Sequence, residues 1–104
     1  MKLDVGNLKV IQKKEQFVLQ ILMPDGSKNY LHSDLIHDIN DAVKLRDELM
    51  GIVIRSENIL IINVEAYFRI DVILRNDQTT KLYSFHSRKL NVTDVVFERE
   101  QLLL

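Results

Sequence analysis

From Leu60 to Leu74 every even position is apolar: Leu60, Ile62, Val64, Ala66, Phe68, Ile70, Val72 and Leu74. The odd positions among them include Asn63, Glu65, Tyr67, Arg69 and Asp71, with Arg75 following. A period of two sends successive side chains to opposite faces of a pleated strand. Alternation this long predicts one long strand, or two joined by a bulge that keeps the faces in phase. Asn76-Asp77-Gln78-Thr79 then supplies a turn. Pairing Arg75 with Thr80 sets Val72 against Tyr83 and Ile70 against Phe85 on the apolar face. The same register lays Asp71 beside Ser84, Arg69 beside His86 and Tyr67 beside Arg88 on the polar face.

The amino-terminal third alternates in the same way, from Leu8 to Gln12 and from Phe17 to Met23, with Lys13-Lys14-Glu15-Gln16 as a polar loop. Pairing Gln12 with Phe17 also pairs Val10 with Leu19 and Leu8 with Ile21, which keeps one face apolar; a slip of one residue would mix the faces. In Met23-Pro24-Asp25-Gly26 the proline presets a type I turn and the glycine accepts the left-handed conformation that follows. That turn closes a hairpin pairing Met23 with Ser27 and placing Leu31 opposite Leu19. Three strands then form a meander.

Between Ser33 and Met50 the period changes. Leu35, Ile36, Ile39, Ala42, Val43, Leu49 and Met50 share one face of a helical wheel, with Asp34, His37, Asp41, Lys44 and Glu48 opposite. Ser33 is a competent N-cap, Asp38 and Asn40 are alternative later starts, and Gly51 suits the C-terminal end. In the tail, Thr93 or Asp94 can cap a short helix carrying Val95, Val96, Phe97 and Leu102, although Val-Val-Phe also suits a strand. Leu102-Leu103-Leu104 calls for burial on the domain or on a partner, or marks the cut end of a longer chain.

The fold class that follows is α+β in a single domain over residues 1–104. An antiparallel sheet of about five strands, in β-β-β-α-β-β order, packs on one main amphipathic helix, with a short C-terminal helix or strand. Composition narrows the chemistry. Fourteen basic against fifteen acidic side chains leave a formal net charge of -1, so no global field favours nucleic acid or a membrane surface. The absence of cysteine removes disulfides, thiolate metal sites and thiol nucleophiles, and agrees with a reducing, cytoplasmic setting. The amino terminus carries no uninterrupted apolar region of the export type, and the Ile59–Ile62 run is far below the roughly 18 residues of a membrane helix.

One helix covers about 10 Å of width, whereas five strands at about 4.8 Å each span roughly twice that. The long hairpin is therefore expected to project past the helix, with Ile62, Val64, Phe68 and Tyr83 needing cover. A second copy of the chain is the economical source, a twofold homodimer being the commonest closed assembly; the rival is a monomer whose strand bends at Glu65-Ala66, with the carboxy-terminal segment closing the core.

Candidate binding residues fall in two places. Arg46 sits within the apolar arc of the helix, where its guanidinium must snorkel or meet an acceptor such as Asp71, Glu65 or a bound anion. Tyr67, Arg69, Asp71, His86 and Arg88 gather on the outer face of the long hairpin, where arginines and rings can hold phosphates or stack bases. Asp71 interrupts that patch, so nucleic acid is the less favoured partner. Asp34, His37, Asp38 and Asp41 lie at spacings of three and four that suit a divalent ion, but capping and the helix dipole already account for them. Tyr30 and His32 join Ile11, Val18 and Leu22 in a small apolar patch on the outer face of the meander. No phosphate-cradling glycine loop, zinc-spaced histidine pair or nucleophile elbow is present, so the chain nominates no catalytic residue, metal or cofactor. The expected role is a small non-catalytic interaction module of regulator, adaptor or inhibitor type, homodimeric through its sheet surface. A ligand- or nucleic-acid-binding domain using the hairpin's basic-aromatic face is the alternative.

Overall fold

A computed structural model describes residues 1–31 and 36–104. The chain runs β1 (Leu8–Lys13), β2 (Gln16–Leu22), β3 (Lys28–Tyr30), α1 (Ile39–Leu49), a 3-10 turn (Ser56–Asn58), β4 (Ile59–Val64), β5 (Tyr67–Asn76), β6 (Lys81–Lys89) and α2 (Val92–Leu102). The class is α+β, but the strands form two antiparallel three-stranded sheets, β1-β2-β3 and β4-β5-β6, rather than one sheet of five.

The first sheet has the register its alternation dictates, with Leu8 opposite Ile21, Val10 opposite Leu19 and Gln12 opposite Phe17. Its first turn holds Lys14 at φ 56°, in the left-handed region that a lysine adopts at a cost. Lys14→Asn is expected to raise stability by about 0.5–1 kcal/mol, read as a higher urea midpoint at constant slope. The second turn is built as expected. Gly26 takes φ 88°, the Met23 N–H donates to the Ser27 carbonyl at 2.8 Å, and the Leu31 N–H donates to the Leu19 carbonyl at 3.0 Å. Asp25 Oδ1 accepts from both the N–H and the hydroxyl of Ser27, and these bonds hold the carboxyl below its usual range.

The second sheet departs from expectation at Glu65-Ala66. The chain reverses there in a two-residue turn, with Val64 opposite Tyr67 and Glu65 at φ 28°. A straight strand of fifteen residues would span about 50 Å at about 3.3 Å each, whereas the longest dimension of the molecule is 39 Å. The turn also changes the phase of the pattern, because an even residue now faces an odd one. Ile59, Ile61 and Asn63 share the inner face with Phe68, Ile70 and Val72; Leu60, Ile62 and Val64 share the outer face with Tyr67, Arg69 and Asp71. No in-phase bulge could do this.

The β5–β6 register also differs by two residues, with Asn76 opposite Lys81 and Val72 opposite Phe85. A shift of two preserves the faces, so alternation alone could not choose between the registers. Asn76 decides it. Its Oδ1 accepts from the N–H groups of Gln78 and Thr79, its Nδ2 donates to the Glu48 carbonyl at 2.7 Å, and Thr80 closes the loop at φ 57°.

Helix α1 starts at the first of the two later sites its sequence allows, with Asp38 as N-cap accepting from the Asn40 N–H at 2.7 Å. Ser33, Asp34, Leu35 and His32 lie outside the described residues. Beyond α1, residues 1–3 pair with residues 51–54, and Gly51 at φ 89° makes the bend between helix and pairing segment. The tail is a helix. Asn91 caps it, accepting from the Asp94 N–H at 2.9 Å, where Thr93 or Asp94 was expected to.

A single core joins both sheets. Leu8, Leu19 and Ile21 of the first meet Ile70, Val72, Leu74 and Phe85 of the second, with Leu3, Leu49, Ile54, Val95 and Leu102 completing it. Phe68 and Tyr83, expected to need a second molecule, pack against this core from within the chain. Helix α2 ties the parts together. Glu98 accepts from Asn29 of β3 and Ser87 of β6, Gln101 accepts from the Asp25 N–H, and the Leu102 carbonyl accepts from the amino terminus. Leu102 is thus docked on its own domain, while Leu103 and Leu104 stay exposed.

Candidate functional site

Side-chain alternation in β5 and β6 brings Tyr67, Arg69, Asp71, His86 and Arg88 to the outer face of the second sheet, as expected, but with new neighbours. Arg69 stands opposite Arg88 and Asp71 opposite His86. Two like charges face to face are tolerable because each has another partner. Arg69 Nη2 donates to Asp71 Oδ2 at 2.9 Å, and its Nε lies 2.8 Å from Oδ1 without the alignment of a second hydrogen bond. The Arg88 guanidinium lies over the Tyr67 ring, 4.9 Å from its centroid, in a cation–π contact. The ring face that could stack a base is therefore occupied by the cation beside it.

Arg46 does not belong to this group. It forms an ion pair with its neighbour Asp47 at 3.1 Å on the solvent side of α1 and reaches neither Asp71 nor Glu65. His37 and Asp41 are exposed, and no group of three potential metal ligands exists among the described residues. Tyr30 on the first sheet is engaged locally: the Lys13 ammonium lies 3.9 Å from its ring centroid and Gln20 Nε2 donates to its hydroxyl.

Sequence reasoning missed the apolar half of the outer face. Leu60, Ile62 and Val64 lie there because of the turn at Glu65; Ile73 of β5 is diagonal to Leu60, and Leu82 of β6, opposite Arg75, is diagonal to Ile73. Leu60 is 51% exposed and Leu82 68%, so the face combines a greasy strip with a charged one. The missed signal was local: Ile59 and Ile61 are apolar at odd positions before Glu65, which an uninterrupted two-faced strand would not place on its polar side.

A second feature is an open cleft of about 970 Å³ between α1, residues 50–58 and the β5–β6 loop. Lys44, Arg55 and Arg75 line it with Asp47, Glu48, Glu57 and Asp77, a mixed lining with no strong field of either sign. Within it, Glu48 accepts a hydrogen bond from the Tyr83 hydroxyl and lies 3.7 Å from Lys81 Nζ. The Tyr83 bond, helped by the charge of Lys81 and opposed by partial burial, holds the Glu48 carboxyl below its usual range. Burial first, and then Glu48, pushes the Tyr83 phenol up to about 12. A raised phenol favours the folded state fully below its unfolded pKa near 10, and that contribution is lost as pH rises towards 12. The stability difference between the protein and Tyr83→Phe is therefore expected to shrink between about pH 10 and about pH 12. A depressed carboxyl has the opposite window. The contribution of Glu48 is present above about pH 4.3 and fades as acid passes below it. Urea titrations at stepped pH read both limbs; a difference that stays flat through the alkaline range would refute the tyrosine–glutamate linkage.

Among the described residues no helix is long and apolar enough to cross a membrane. No protein-family model, curated protein or solved structure matches this chain.

Proposed function

We propose that this chain is a small non-catalytic interaction module of regulator, adaptor or inhibitor type, acting in the cytoplasm as a homodimer through its second sheet. The carrying observation is the outer face of β4–β6, where exposed Leu60, Ile73 and Leu82 sit beside charges that are already paired. Apolar side chains grouped on a folded surface and rimmed by polar ones are the usual mark of a protein contact. Pairing of Arg69 with Asp71, and of Arg88 with the Tyr67 ring, weighs against the nucleic-acid alternative. Phosphate binding needs free cations, and base stacking needs a free ring.

The test is light scattering on the eluate of a sizing column across the micromolar to millimolar range. The expected result is a mass that rises from one copy towards two. Leu60→Lys, at an exposed position opposite Asp71 where a cation suits the β4–β5 ladder, is expected to shift the midpoint at least about tenfold towards the monomer. A single-copy mass at every concentration would remove the proposal.

A further inference from the structure

We propose that two copies of this chain join through the free edge of β4, forming an antiparallel ladder centred on Ile61 that makes one six-stranded sheet. This rests on the homodimer reading above and specifies how the two copies meet. Edge strands present unpaired N–H and C=O groups, and folded proteins ordinarily protect them with lysine, proline, a bulge or a covering element. The Ile-Leu-Ile-Ile-Asn-Val strand has none of the sequence devices: no charge, no proline and no glycine. Among the described residues its one strand partner is β5, and beyond that only the Ile59 N–H is bonded, to the Ser56 carbonyl of the 3-10 turn. Its side chains are also partly open on both faces, Leu60 on the outer and Ile61, 44% exposed, on the inner.

The backbone pattern selects the occupant. Val64 and Tyr67 flank the two-residue turn and are ladder partners, so they form a hydrogen-bonded pair, and alternation makes Ile62–Arg69 and Leu60–Asp71 hydrogen-bonded pairs too. The N–H and C=O groups of Ile59, Ile61 and Asn63 therefore point to the open edge. An antiparallel partner in which Ile61 meets Ile61 pairs Ile59 with Asn63 and Asn63 with Ile59, so every outward group finds another except the Asn63 carbonyl, whose opposite Ile59 N–H is held by Ser56. About four hydrogen bonds result. The same register lays Leu60 against Ile62 of the other copy across the outer face, an apolar pair at each end of the dyad. With no charge on β4, the copies meet without like-charge opposition, and pairing leaves neither copy with a free β4 edge. The area is small, because one six-residue strand falls short of the roughly 800 Å² per partner of a standard interface. A reversible association of micromolar or weaker affinity is therefore the expected strength.

The chain has no cysteine, so Asn63→Cys gives a single attachment point for a nitroxide label on an exposed residue of β4. In the Ile61-centred register the two labels lie four residues apart along the ladder, about 13 Å. The expected result is a spectrum broadened by the second label, and sharpened by dilution with unlabelled protein; a label at Thr79→Cys should show no broadening. Ile61→Pro is the companion variant. Its lost N–H faces the open edge, so the β4–β5 ladder keeps its bonds, and the dimer dissociation constant is expected to rise about tenfold or more. If light scattering shows a dimer without broadening at residue 63, the β4 ladder is wrong while the dimeric module stands. A monomer at every concentration overturns both. Should Ile61→Pro lose the folded circular dichroism spectrum, the label at residue 63 decides alone.

Discussion

Phe85→Ala is expected to cost about 3–5 kcal/mol of folding stability. Phe85 is 2% exposed and stands midway along β6, opposite Val72 of the central strand, within the cluster that also holds Leu19, Ile21, Val95 and Leu102. Removing the ring deletes its transfer free energy and leaves a cavity bounded by two sheets and a helix, which cannot all collapse into it. A domain of this size has about 5–15 kcal/mol in hand, so the variant should sit near its unfolding threshold at room temperature. Urea unfolding at low micromolar concentration, where association contributes least, reads the effect as a lower midpoint at unchanged slope. Phe85→Leu should lose clearly less. A loss below about 1 kcal/mol for the alanine variant would contradict the packing of the two sheets on one core.

Glu98→Ala is expected to cost about 2–5 kcal/mol, for a different reason. Glu98 is 4% exposed and accepts hydrogen bonds from Asn29 Nδ2 at 3.2 Å and from the Ser87 hydroxyl. Those donors belong to β3 and β6, the strands where the two sheets come closest without pairing. Truncation leaves the buried Asn29 amide and the half-buried Ser87 hydroxyl without their acceptor, and a buried unsatisfied group costs about 1–3 kcal/mol. Glu98→Gln keeps an acceptor and should recover part of the loss. A variant replacing Asn29, Ser87 and Glu98 together by apolar residues should be less destabilised than Glu98→Ala, because no donor is then left alone. Equal losses in the two variants would show that the carboxylate contributes packing only.

These two sites mark the limit of what could be read along the chain. Phe85 was legible as a core residue because it lies in a clean alternation, and faces survive any even shift of register. Glu98 was not legible. A glutamate in an amphipathic tail reads as solvent-facing until the two strands that present its donors are known to converge on it. The outer-face group of Tyr67, Arg69, Asp71, His86 and Arg88 was legible as a set and misread in its pairs, since the two-residue difference in register changes partners but not faces. Leu60, Ile62 and Val64 were assigned to the wrong face because one short turn converts even into odd.

What the amino-acid sequence determined by itself is whatever depends on neighbours a few residues apart: the faces of β1, β2, β5 and β6, the register of β1 on β2, the turn at Pro24–Gly26 and the existence of α1. Each is decided by side-chain period or by local backbone chemistry, and neither needs distant partners. Only the tertiary structure decided that the long alternation folds back at Glu65, that Asn76 sets the second register by reaching the Glu48 carbonyl, and that α2 joins two sheets in place of one. The last two choices turn on contacts between residues far apart in the chain, and the first on a core that takes Ile59 in place of Leu60, so their free energy exists only once the core has assembled.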